Sequence, residues 1–118
     1  MMRPITVEDH VRAVRECRSQ QFPLVTSDTC KAWFRHEGID FGELSGRAGK
    51  HFERVDNLEA SGQRRLVKFK RSNTDQNADV AWCLAEEVDA ARIFARRHGW
   101  LEIPWDGRRR RWDWRRAA

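Results

Sequence analysis

Clusters of basic side chains, several of them beside aromatic residues, are the part of this sequence most suited to chemistry. Guanidinium and ammonium groups bind phosphate oxygens, and indole rings stack on bases or on arginine. Two stretches carry the clusters, "RRLVKFKR" near the middle of the chain and "RRRRWDW" near its end. This pattern is typical of a surface that binds a polyanion.

The net charge of +5 comes from the same two regions. Residues 41–71 carry eight basic and four acidic side chains, and residues 108–118 carry six and one. The intervening residues 72–107 have a net charge of −4. Nucleic acid is the commonest partner of such a surface, and an acidic protein surface is the alternative, which charge alone does not separate.

The candidate contact residues fall on three predicted elements: a helix, a basic strand and a C-terminal hairpin. On the helix, Arg47, Lys50 and Arg54 stand at i, i+3 and i+7 and so share an exposed face. A solvated helix face and a charged strand that resists aggregation are the alternative interpretations. The full candidate set for nucleic-acid binding is Ser45, Arg47, Lys50, His51, Arg54, Arg64, Arg65, Lys68, Lys70, Arg71, Arg108, Arg109, Arg110 and Arg111.

Motifs for catalysis or metal binding are missing from the sequence. It contains no GxxxxGK[ST] loop, no GxSxG elbow and no HExxH helix. Its three cysteines and four histidines do not stand at ligand spacing. The acidic group Glu86, Glu87 and Asp89 is explained by the start of a helix, whose macrodipole favours negative charge there. We therefore expect no enzymatic activity, no cofactor and no metal.

At 118 residues the chain is expected to form a single domain over residues 1–118. It has neither an apolar signal region nor a run long enough to span a membrane, which predicts a cytoplasmic protein with reduced cysteines.

The elements that must position the basic residues begin with three helices. Thr6 followed by Asp9 predicts an N-cap, with a helix to about Gln20 and then an extended connector that buries Phe22, Leu24 and Val25. Thr26 or Ser27 caps a second helix that stops at Gly38. The third helix is predicted from Asp40 to Leu58 on an apolar stripe.

Strand patterns dominate the second half of the chain. Alternation around Val67 and Phe69 predicts a basic strand, followed by a polar loop. Residues 79–84 fit either the return strand or the start of a helix that ends at Gly99. The Asp106-Gly107 pair predicts a C-terminal hairpin with a two-residue loop, which pairs Trp105 with Arg108 and Leu101 with Trp112.

This order of elements resembles a winged helix-turn-helix domain. The matching stretches are "VTSDTCKAWFRHEGIDFGELSGRAGKHFERV" for the paired helices and "GQRRLVKFKR" for the start of the wing. The resemblance implies an α+β fold with a mainly helical, winged-helix-like core over residues 6–71. A helical segment over 79–98 and a basic hairpin over 100–115 follow. In a second placement, residues 86–98 take the reading position and the C-terminal hairpin is the wing.

These features favour a small, non-catalytic nucleic-acid-binding protein that regulates transcription or acts as an accessory factor. Duplex DNA is the favoured partner, since the basic helix face suits a major groove. The alternative is a small inhibitor or adaptor of the kind that phages and other mobile elements encode, such as anti-CRISPR proteins. It would engage an acidic protein surface through the same arginines.

Overall fold

The computed structural model describes residues 3–41, 65–75, 78–106, 108 and 111–116. Helices and an antiparallel sheet make up these residues, so the α+β class expected from the sequence is confirmed. The helix predicted from Asp40 lies, beyond Phe41, outside the described residues. The winged-helix arrangement therefore stays a prediction.

The two N-terminal helices begin at the residues that the sequence indicates. Helix α1 spans Val7–Cys17 and opens with a capping box, in which the Thr6 hydroxyl accepts from the Asp9 amide at 3.3 Å and the Asp9 carboxylate accepts from the Thr6 amide at 2.9 Å. Helix α2 spans Ser27–His36 with Thr26 as its N-cap. Gly38 follows it with φ of 68°, a left-handed conformation that favours glycine. Helix α1 is shorter than predicted, since it ends at Cys17.

Short strands flank these helices. Strand β1 (Arg3–Pro4) pairs in parallel with β3 (Ile39–Asp40), and β2 (Val25–Thr26) leads directly into α2. The amide of Ile5 donates to the Asp40 carbonyl at 3.0 Å. The beginning of the chain is thereby attached beside the end of α2.

The main sheet has the order β2-β5-β4-β6. Strands β4 (Leu66–Lys70) and β5 (Val80–Leu84) form an antiparallel hairpin in which Lys68 lies opposite Trp82. The ambiguous residues 79–84 thus contain the return strand, and the basic strand is confirmed. At one end β4 also pairs with β6 (Leu101–Glu102), so it is an interior strand of the sheet.

The two faces of this sheet are covered by different helices. Leu66, Trp82 and Leu84 face one core, which includes Val14 of α1 and Phe34 of α2. Alternate strand residues, Phe69, Ala81 and Cys83, face a second core with Ala91 and Ala95 of the last helix. Period-two alternation of side chains along β4 and β5 therefore builds a three-layer arrangement.

The last helix, α3, spans Val88–His98 after a 3₁₀ turn at Ala85–Glu87. Gly99 ends it with φ of 76° in the left-handed region, as expected from the sequence. Among the described residues, no helix has the length and apolar character needed to cross a bilayer.

The C-terminal hairpin is present, but its predicted register is wrong. Strands β7 (Trp105–Asp106) and β8 (Arg111–Trp112) place Trp105 opposite Trp112, not opposite Arg108. Asp106 lies in a strand, whereas a two-residue type I′ loop would need it at positive φ. Leu101 pairs with Lys70 of β4 instead of with Trp112. A final 3₁₀ turn spans Trp114–Arg116, and the orientation of the hairpin's tryptophan side chains lies outside the described part.

Candidate functional site

The described basic residues of the predicted wing are held by contacts within the fold. Arg65 forms an ion pair with Glu8 of α1. The Lys68 ammonium lies 5.1 Å from the centre of the Trp82 ring. Lys70 is 3% exposed, and its Nζ donates to the Ala78 carbonyl at 3.0 Å. Burial lowers the pKa of Lys70, with the charge of Lys68 acting in the same direction and nearby Asp75 opposing it. This ammonium fastens the β4–β5 loop.

Arg71 differs from these residues because its side chain is exposed and reaches α3. Its guanidinium donates to the His98 carbonyl at 2.5 Å and lies 4.2 Å from the centre of the Trp100 ring. The carbonyls at a helix C-terminus need partners, and a cation there also complements the macrodipole. Arg71, the residue after β4, therefore caps α3 and is held in place by an aromatic face.

Aromatic rings continue from this cap along one side of α3. The rings of Phe94 and His98 stack at 4.2 Å with 29° between their planes. Phe22, from the connector before β2, makes an edge contact with Phe94 at 6.1 Å. Its side chain is 62% exposed, so the prediction that the connector buries Phe22 is wrong. Leu24 and Val25 of the same connector are buried as predicted, so only the Phe22 ring turns outward.

These groups form one surface, which we name the aromatic-basic end of α3. It consists of Arg71, Arg97, His98, Phe94 and Phe22, all of which are exposed except the partly buried Phe94. Sequence reasoning included Arg71 in the candidate set but missed the other four. The run "ARRHG" at the end of the helix could have indicated Arg97 and His98 as surface residues. No local pattern indicates that Phe22 belongs to the same surface, because its neighbour α3 is distant in sequence.

Most of the remaining candidate residues lie outside the described part of the chain. Arg108 is exposed in the turn of the C-terminal hairpin, and the backbone of Arg111 lies in β8. The structure does not describe Ser45, Arg47, Lys50, His51, Arg54, Arg64, Arg109 and Arg110. Their part in binding stays a prediction.

A cavity of about 640 Å³ lies between the α1–β2 connector and the start of α3. It is lined by Arg18, Ser19, Gln20, Pro23, Glu86, Glu87, Asp89 and Ala90. Arg18 and Glu87 form an ion pair across it at 2.5 Å. Within the described ranges, no three histidine, cysteine or acidic side chains are grouped to hold a metal ion.

The strongly perturbed titratable groups lie in the cores rather than at this cavity. Burial, with the nearby charge of Lys68, lowers the pKa of His10 to about 3. Burial also raises the pKa of the Cys83 thiol to about 12 and that of Cys30 well above its usual range. These shifts follow from packing inside the fold.

Comparisons with protein families, with curated proteins and with solved structures returned no significant match.

Proposed function

We propose that this chain is a small, non-catalytic nucleic-acid-binding protein and that the aromatic-basic end of α3 is one of its contact surfaces. The observation that carries the proposal is the fixed guanidinium of Arg71, held by the His98 carbonyl and the Trp100 ring. This guanidinium lies beside the stacked rings of Phe94 and His98. Guanidinium groups next to aromatic faces are the combination that binds phosphates and stacks bases.

The charge at this surface suits a polyanion despite the helix C-terminus. Unpaired carbonyls at the end of a helix repel a phosphate. The Arg71 guanidinium satisfies one of these carbonyls and brings positive charge to the same point. Arg97 adds a second exposed cation one residue before the end. The net local charge is therefore positive where a phosphate would approach.

The exposed ring of Phe22 extends the surface away from the phosphate site. Because every base has a π-face, an aromatic side chain beside a cationic site holds unpaired bases with little sequence preference. This surface therefore favours a single-stranded segment. The basic helix face predicted at Arg47, Lys50 and Arg54 would supply duplex contacts in a winged-helix arrangement, as a regulator or accessory factor uses them.

The test is fluorescence anisotropy of labelled single-stranded and duplex oligonucleotides, titrated with the protein between about 50 and 300 mM salt. We expect binding that weakens steeply with salt, because counterions are released from the phosphates. Phe22→Ala should weaken single-strand binding about fivefold or more through lost stacking. Arg97→Glu should weaken both strand forms.

The matched control is Arg15→Glu, which makes the same charge change at an exposed position of α1, on the opposite side of the sheet. If both arginine variants lose affinity equally, the attraction is general electrostatics and the assignment of this surface is wrong. Absence of binding at the lowest salt would contradict the nucleic-acid function itself.

A second candidate function is that of an adaptor for an acidic protein surface. The observation that favours it is the exposed Phe22 ring, which packs on Phe94 of the arginine-bearing helix α3, since exposed aromatic and arginine side chains anchor protein interfaces. It predicts no oligonucleotide binding at low salt, together with a partner whose capture is lost in Phe22→Ala.

A further inference from the structure

The outward side of α3 carries an exposed isoleucine between opposite charges. Ala91 and Ala95 face the core, while Asp89, Ile93 and Arg96 stand at i, i+4 and i+7 on the other side. The Ile93 side chain is 56% exposed, and it is one of two large apolar side chains exposed among the described residues. Ala90, one turn before it, is also exposed and adds only a methyl group.

The position of Ile93 makes this stripe self-complementary. Ile93 is the central residue of α3, which spans Val88–His98. At a rise of about 1.5 Å per residue, Asp89 lies about 6 Å before it and Arg96 about 4.5 Å after it. If the helix is rotated by half a turn about an axis through Ile93, the acidic end falls on the basic end.

We propose that the outward face of α3 binds a second copy of this chain, with the two helices antiparallel. A two-fold axis at Ile93 brings the two isoleucines together and places Asp89 of each copy opposite Arg96 of the other. Such an interface is isologous, because the same patch serves both copies. A parallel pair would instead oppose like charges, so the charge pattern selects the antiparallel arrangement.

The exposed charges at this face are available for the contact. The Asp89 side chain is 96% exposed, and its carboxylate lies 3.6 Å from Arg92 in an exposed pair within the helix. Arg92 itself is bound to Glu102 at 2.6 Å, so its guanidinium has a second carboxylate partner. An exposed pair of this kind contributes little to stability, and Asp89 can accept a further cation without a large loss.

The macrodipole alone favours acidic residues at the start of a helix and basic residues at its end. The macrodipole does not explain why an exposed isoleucine stands midway between the acidic and the basic residue. One helix pair of this length buries area at or below about 1,200 Å², so we expect a dissociation constant in the micromolar range. The stripe does not include Phe22 or His98, but Arg97 of the aromatic-basic end stands one turn after Ile93, so the two surfaces are adjacent on α3.

The first experiment is sedimentation velocity of the full chain from about 5 to 500 µM. The wild type should shift from monomer to dimer over this range. Ile93→Asp should raise the dissociation constant about tenfold or more, because it buries a charge at the two-fold axis. The matched control Ala32→Asp, at an exposed position of α2, should leave the dissociation constant unchanged. A wild type that stays monomeric, or equal effects of the two variants, would overturn the proposal.

A charge exchange tests the Asp89–Arg96 contacts. The loss in the single variants tests the orientation, because a parallel pair already opposes like charges in the wild type and neither variant would weaken it further. Asp89→Arg and Arg96→Asp should each weaken self-association, because each variant opposes like charges in its own dimer. An equimolar mixture of the two variants restores both Asp–Arg pairs and should form a heterodimer. The macrodipole predicts no such rescue, so a mixture that sediments as monomers would refute the antiparallel arrangement. Far-ultraviolet circular dichroism of each variant confirms that α3 is retained.

Discussion

The imidazole of His10 lies 4.5 Å from the indole of Trp82, with 67° between the ring planes. His10 is fully buried, and the ring of Phe34 makes a second edge contact with it at 5.8 Å. On the far strand, the Lys68 ammonium lies 5.1 Å from the same Trp82 ring. The histidine on α1 is thus part of the contact between the helical layer and the sheet.

This burial predicts that the protein loses stability in mild acid. In the folded state the pKa of His10 is lowered from 6.5 to about 3, so the unfolded chain binds the proton more readily between these values. The free energy of unfolding should therefore fall as the pH drops below about 6.5, by about 2 kcal/mol at pH 5 from this group. Urea unfolding at several pH values measures the slope. In His10→Phe the slope should flatten, and an unchanged slope would assign it to other groups.

The capping box at the start of α1 predicts a specific loss in Thr6→Ala. The hydroxyl of Thr6 accepts from the Asp9 amide and donates to the Asp9 carboxylate at 3.0 Å. Its removal should lower the free energy of unfolding by about 1 kcal/mol. Thr6→Ser keeps the hydroxyl and should stay close to the wild type in chemical denaturation. Equal losses in the two variants would point to the methyl group instead.

A buried and an exposed phenylalanine should lose very different amounts of stability when each is replaced by alanine. Phe34 is 0% exposed and contacts the rings of His10 and Phe41, whereas Phe22 is 62% exposed. Phe34→Ala should cost about 3–5 kcal/mol through lost burial and a cavity. Phe22→Ala should cost less than about 1 kcal/mol. Thermal and urea unfolding of both variants compare them directly, and similar losses would contradict the exposure of Phe22.

The thiols should react in two classes. Burial raises the pKa of all three thiols, but Cys30 and Cys83 are 0% exposed, whereas Cys17 on α1 is partly exposed and so accessible to a reagent. Because the thiolate is the reactive form, we expect one thiol to react rapidly with a disulfide reagent at about pH 8 in the folded protein. All three should react in denaturant. Cys17→Ser should abolish the rapid phase. A rapid phase that persists in this variant would show that Cys30 or Cys83 is accessible to the reagent in the folded protein.

Local elements were predictable because their signals lie within a few residues. Thr6 with Asp9 at the start of α1, Gly38 after α2 and Gly99 after α3 all stand where backbone chemistry requires them. The alternation around Phe69 likewise identified β4 as a strand. Residues 79–84 were ambiguous, because a short apolar run fits a buried strand or a helix equally well. Only pairing with β4 makes them β5.

The candidate site could be predicted only in part. Arg71 belongs to the basic run that the sequence singles out, but its neighbour Lys70 is buried at the end of β4, which pairs with both β5 and β6. The same pairing takes Leu101 to β4 and leaves the C-terminal hairpin to start after Pro104, so its register differs from the predicted one. No local sequence pattern predicts which strand a given residue will pair with.

Sequence alone determined the α+β class, the N-caps of α1 and α2, the glycine stops after α2 and α3 and the location of the basic blocks, because capping, turn chemistry and periodicity act over short distances. Tertiary structure decided which side chains remain exposed. It sets Phe22 against Phe94, ties Arg71 to the end of α3 and leaves Ile93 outward, since each of these depends on contacts between elements far apart in the chain.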